Sequence, residues 1–282
     1  MSAVVHTRPW FTLVRREFWE RPGLWMVPAA LAAGLVVLGI AAALQLAQVD
    51  LSNMQINFNG GAMTITGSVE AQGSGSIDQP LRLLVMGVGL LLLTVSGIMV
   101  CSYLLDSLYA ERRDRSILFW RSLPVSDSQA VLAKYSIALL VPLAVYALTV
   151  LTTAILLVLL SLTPQVAAHW PPAAFAQYAS ALAELGATLL LNLLWYAPLY
   201  AVLQLASLAR RTPALWVLLV PVGCIIAEKL LRGSDYVAHW VGQRLAPLPL
   251  QGAQQPGLWL GVLAAAAVLA LTVRLRRYSD DS

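Results

Sequence analysis

The chain has 282 residues, 59% of them hydrophobic and only 11% charged, against roughly 25% charged in an ordinary soluble domain. Its 18 Lys+Arg and 14 Asp+Glu residues cannot cover a chain of this size, so lipid is part of its solvent. The formal charge of +4 lies beside apolar runs, which argues against a nucleic-acid-binding face, and the two cysteines, Cys101 and Cys224, sit inside apolar runs and read as packing residues.

Residues 7–21 come first. Trp10, Phe11, Val14 and Phe18 fall on one helical face, with Arg15, Arg16, Glu17 and Glu20 mostly elsewhere. This pattern predicts an amphipathic helix in the membrane interface, broken by Pro22 and Gly23. The polar, arginine-bearing stretch from Met1 to Arg21 does not read as a cleavable signal peptide. Residues 24–47 are uncharged. At about 1.5 Å per helical residue they exceed the roughly 30 Å hydrocarbon core, so they predict the first span.

Residues 49–80 are polar, rich in Gly and Ser, and nearly uncharged. Met54, Ile56 and Phe58 alternate with polar residues, Asn59-Gly60-Gly61-Ala62 follows, and Met63, Ile65 and Val69 alternate again. That predicts a small external β-hairpin between spans one and two. The same composition also suits a linker without fixed structure.

Residues 83–105 predict the second span. Residues 106–134 form the longest stretch a bilayer would reject, with five of the 18 Lys+Arg and four of the 14 Asp+Glu residues. Within it Ser126-Asp127-Ser128-Gln129 matches a capping box, so a helix should start there. Residues 137–162 predict the third span, with Pro142 expected to kink it. Residues 185–208 predict the fourth, with Glu184 at its outer edge and Asn192, Pro198 and Gln204 inside.

Residues 214–231 predict the fifth span. Only Ala214–Ala227 is uncharged, so Glu228 and Lys229 must sit at headgroup depth. Residues 233–256 read as an external segment, and the sequence leaves open whether part of it dips back into the bilayer. Residues 258–273 predict a sixth span, ended by Arg274, Arg276 and Arg277. The expected fold is therefore a single all-α membrane domain over 1–282, with six spans, an interfacial N-terminal helix and the external hairpin. Six spans place 14 basic residues on the side of the termini and four (Arg82, Lys229, Arg232, Arg244) on the other. The positive-inside rule then makes both termini and the 106–134 loop cytoplasmic.

Reactive chemistry is scarce. His6, His169 and His239 have no paired metal spacing, and neither HExxH nor GxSxG occurs. The two lysines, Lys134 and Lys229, follow Ala and Glu, not a Gly-rich phosphate loop. Asp235 with His239 reads as an ordinary loop pair, and Asp106 and Glu111 as interfacial charges beside Arg112 and Arg113. The span interiors offer Gln45, Asn192, Gln204 and hydroxyls but no carboxylate, which argues against an ion-driven transporter. No catalytic, cofactor or metal residue is expected in this chain.

LVRREFWERPGLWMVP and SLYAERRDRSILFWRSLPVSDSQAVLAKY resemble, respectively, the first segment and the loop between spans two and three of type-2 ABC exporter permeases. The resemblance implies a multi-pass subunit of the bacterial cytoplasmic (inner) membrane, working with a second permease copy as a homodimer or heterodimer. It implies separate ATP-binding-cassette ATPase subunits that hold ATP and Mg. Carried over, Glu111, Arg112, Arg113, Asp114, Arg115, Phe119, Trp120 and Arg121 would contact the ATPase. Arg15, Arg16, Glu17 and Glu20 on the N-terminal helix would offer a second contact. An apolar path with few charges suits a hydrophobic or amphipathic substrate. The alternative is a membrane sensor or assembly factor that does not transport and uses the 49–80 loop outside the cell.

Overall fold

A computed structural model describes residues 9–48, 54–59, 62–67, 78–113, 126–163, 173–209 and 213–278. Helix α1 (Pro9–Glu20) opens on a proline, whose missing N–H costs nothing in a first turn. Pro22 ends it, and a tight turn (Leu24 N–H to Arg21 O, 3.1 Å) leads straight into α2 (Gly23–Gln48). Phe18 stacks on Trp25 across that turn, ring centroids 6.4 Å apart. Strands β1 (Met54–Asn59) and β2 (Ala62–Gly67) pair antiparallel, in register from Met54↔Gly67 to Asn59↔Ala62.

Helix α3 (Asp78–Ser107) and the short α4 (Tyr109–Arg113) follow. Helix α5 (Asp127–Ser161) starts at the capping box that the sequence predicts. Gln129 N–H donates to Ser126 Oγ (3.3 Å), and Ser126 N–H donates back to Gln129 Oε1 (3.2 Å). The helix then runs unbroken through Pro142, so the last part of the 106–134 loop is continuous with the span that follows. Helix α6 (Ala174–Ala206) contains Asn192, Pro198 and Gln204. Helix α7 (Pro213–Arg232) ends at Gly233, whose φ of 65° suits a residue without a Cβ. Glu228 then reaches past the turn and accepts from Tyr236 N–H (3.0 Å) and Val237 N–H (2.7 Å), capping α8 (Tyr236–Leu245). A 3₁₀ turn (Leu250–Gln254) leads into α9 (Pro256–Tyr278).

Among the described residues, five stretches are long and apolar enough to cross a membrane: Gly23–Gln45, Leu81–Glu111, Asp127–Ser161, Ala174–Ala206 and Pro256–Arg276. Leu38, Leu90, Leu151, Leu190 and Leu263, one on each, are left exposed, as lipid-facing side chains would be. The six-span count expected from the sequence is thus reduced to five by this measure. The helix left over is α7, whose uncharged residues reach only about 21 Å before Glu228 and Lys229.

The chain divides into two compact units. One comprises residues 26–94 and 144–186. Its core is Val85, Ala181 and Leu185, with Met86, Leu93, Tyr146, Tyr178 and Leu182 against it. Small residues let its helices approach closely: a Cβ on Gly89 would lie 2.4 Å from Leu185 Cδ2, and one on Gly39 2.2 Å from Leu156 Cδ2. Tyr146 Oη–H donates to Leu182 O (2.8 Å), and Arg82 pairs with Glu184 (2.6 Å).

The other unit comprises residues 1–25, 95–143 and 187–282. Helices α5 and α6 are tied there by Gln204 Nε2–H to Val131 O (2.9 Å) and Tyr135 Oη–H to Ala197 O (3.0 Å). An apolar cluster of Leu191, Trp195, Leu248 and Leu258 joins α6 to the segment before α9 and to the first turn of α9. This unit also holds the charged cluster described next.

Candidate functional site

The buried stripe of α5 is Val131, Ala138, Val141 and Val145, at spacings of three, four and seven. Lys134 falls on that same stripe, and its side chain is only 6% exposed. An isolated ammonium there would cost several kcal/mol in lost hydration. Two carboxylates offset this. Lys134 Nζ donates to Glu17 Oε1 on α1 at 2.7 Å and lies 3.1 Å from Glu111 Oε1 on α4. Tyr103 Oη–H on α3 donates to Glu17 Oε2 at 2.9 Å.

The buried stripe of α9 carries a second cation. Leu258, Ala265 and Thr272 lead to Arg276 on the same face. Arg276 Nη2 donates to Glu111 Oε2 (3.1 Å), and its Nε lies 3.5 Å from Asp127 Oδ1 at the start of α5. Arg21, just after α1, pairs with Asp106 near the end of α3 at 2.7 Å. The cluster thus joins α1, the α3–α4 turn, the start of α5 and the end of α9. Charged groups held on both sides set a register that apolar contacts alone would not fix.

Of the residues expected at an ATPase contact, Glu111 has one carboxylate oxygen near Lys134 and the other near Arg276, inside this cluster. Glu17 is likewise engaged by Lys134 and Tyr103. Arg113 and Arg15 are exposed, and Arg16 pairs with Glu20 one turn along α1. Arg112 lies in α4, but its side chain is outside the described residues, as are Asp114, Arg115, Phe119, Trp120 and Arg121. Sequence reading missed Lys134, Arg276 and Tyr103. The signal was present for the first two: each is a charge set on the apolar stripe of a long helix.

A second polar contact lies in the same unit. Asn192 stands about 27 Å along α6 from Ala174 and about 21 Å from Ala206. It brackets Leu248, accepting from its N–H (2.8 Å) and donating to its carbonyl (3.1 Å). Trp195 Nε1–H donates to Ala246 O (3.1 Å) and Tyr196 Oη–H to Leu245 O (3.2 Å). The guanidinium of Arg244 lies 3.9 Å from the centre of the Trp195 ring. Irregular backbone beside the middle of a long apolar helix needs such partners, because hydrocarbon supplies none.

Residues 83–204 match the profile of the ABC-2 family transporter protein. The matched segment is thus similar to an ABC-2 transporter membrane domain. No curated protein and no solved structure matches the chain. The ABC-2 segment contains Tyr103, Asp106, Glu111, Asp127, Lys134 and Asn192. Glu17, Arg21 and Arg276 lie outside it, so the charged cluster binds the ABC-2 segment to the chain on both sides of it.

Proposed function

We infer that this chain is the membrane-spanning permease subunit of an ATP-driven exporter. The reading is carried by the ABC-2 match over residues 83–204, which includes the whole charged loop at 106–134. The chain shows no phosphate-loop sequence, so ATP and Mg are held by a separate ATPase. Arg112, Arg113, Asp114, Arg115, Phe119, Trp120 and Arg121 contact that ATPase, with Arg15, Arg16 and Glu20 of α1 as a second contact. Glu111 and Glu17 act instead as internal anchors for the loop and for α1. Binding of ATP draws the ATPases together, displaces the loop and reorients the spans.

In this reading α7 is the fifth of six spans, with Glu228 and Lys229 at headgroup depth. Both termini are cytoplasmic, in a bacterial inner membrane, and the β1–β2 hairpin is external. The segment between α7 and α9 re-enters the bilayer, its backbone satisfied by Asn192, Trp195 and Tyr196. Substrate, hydrophobic or amphipathic, passes between this chain and a second permease copy. The test is co-purification from the native membrane. An ATP-binding-cassette ATPase should remain bound through detergent extraction, identified by peptide sequencing and by vanadate-sensitive ATP hydrolysis. Trp120→Ala combined with Arg113→Glu should release it. No bound ATPase, or full retention by the double variant, defeats the reading.

A further inference from the structure

Arg276 lies outside the ABC-2 match, yet it reaches both flanks of the loop that the match contains. Its Nη2 meets Glu111 before residues 114–125, and its Nε meets Asp127 after them. The side chain is 7% exposed, so these partners are what make the charge tolerable. Arg276 reaches its two acceptors from two different nitrogens, Nη2 and Nε, a rigid planar fork that a lysine in its place would lack. Lys134 extends the contact, holding the other oxygen of Glu111 together with Glu17 of α1.

We propose that Arg276 is a positioning residue that clamps both flanks of the loop to the last helix. Displacement of the loop then passes directly to α9 and, through Lys134 and Glu17, to α1. Without the clamp it would still reach α1 through Lys134 and Glu17, but it would have no direct ionic path to α9. The source of the displacement rests on the permease reading above; the clamp itself is a property of this chain.

The experiment has two arms. In the first, the permease with its co-purified ATPase is placed in lipid nanodiscs and ATP hydrolysis is measured. Arg276→Gln should lower kcat about fivefold or more, with KM for ATP within about twofold and the ATPase still bound. Arg276→Lys should keep the melting temperature within about 2 °C, yet lose at least about half of kcat, because lysine lacks the planar fork whose two nitrogens meet the two flanks. A role confined to stability would move melting and hydrolysis together. A complex that assembles fully and hydrolyses ATP at the native rate in both variants overturns the clamp.

The second arm uses the permease alone in detergent, and so decides the clamp even if no ATPase co-purifies, a result that would count against the permease reading only. Arg276→Gln, Asp127→Asn and their combination are melted. The double variant should melt within about 1 °C of the worse single one, because both remove the same contact. Additive losses overturn the clamp. If Arg276→Gln fails to fold, the same cycle is run with Arg276→Lys and Asp127→Asn.

Discussion

Lys134 Nζ lies 2.7 Å from Glu17 Oε1, although 117 residues separate them in the chain. That bond fastens the interfacial helix α1 to the helix that leaves the charged loop. Glu111 takes the opposite side of the same ammonium. Replacing Lys134 with Met would leave two carboxylates, each at most 15% exposed, facing one another without their shared cation. The expected loss is about 3–5 kcal/mol of stability, as for other buried ion pairs broken on one side. Adding Glu17→Gln should recover part of it. Denaturation in mixed micelles, followed by far-UV circular dichroism, measures both, and a Lys134→Met protein as stable as the parent would show that the bond does not form.

Arg82 and Glu184 make an equally short pair at 2.6 Å, but with side chains 62% and 36% exposed. Distance alone would rank the two pairs together; exposure separates them. Arg82→Ala should change stability by no more than about 1 kcal/mol, since water already screens the charges. The same denaturation assay distinguishes the two substitutions, and a loss comparable with that of Lys134→Met would contradict this ordering.

Much of the chain could be read without coordinates because hydrocarbon allows few choices: a long apolar run must satisfy its backbone internally and becomes a helix. The capping box at Ser126–Gln129 was legible for the same local reason. What could not be read was partnership. Glu111 looks like any surface acid among the arginines of ERRD, and its internal role depends on Arg276, which lies 165 residues away. Lys134 and Arg276 were visible as charges on apolar stripes, but a stripe does not say which carboxylates will face it. Span counting is least determined at α7, where Ala214–Ala227 is too short alone and the result depends on how Glu228 and Lys229 are placed.

Gly89 tests the packing of the other unit. A Cβ there would stand 2.4 Å from Leu185 Cδ2 and 3.3 Å from its Cγ, so more than the tip of the leucine must give way. Leu185 is itself 2% exposed and packed with Val85 and Ala181. Gly89→Ala should therefore cost about 1–3 kcal/mol through overpacking. Leu185→Val in the same chain should return part of that by removing the obstructing methylene. Melting followed by fluorescence-detected size exclusion would show it, and a neutral or stabilising Gly89→Ala would mean that the helices separate freely at this point.

Asn192 gives the last prediction. Its amide both accepts from Leu248 N–H and donates to Leu248 O, and the backbone N–H and the amide oxygen of this contact are buried together. Asn192→Leu keeps the volume but removes both partners at once. A buried backbone donor or acceptor left unpaired costs about 1–3 kcal/mol, so the substitution should destabilise by at least the lower end of that range. The change should be local. Ala246 O still has Trp195 Nε1–H and Leu245 O still has Tyr196 Oη–H, so the segment should loosen first at Leu248. Hydrogen exchange of peptides covering residues 245–255, in lipid nanodiscs, should accelerate while peptides from α5 stay protected. Unchanged exchange at Leu248 in a folded Asn192→Leu protein would show that this asparagine does not hold the segment.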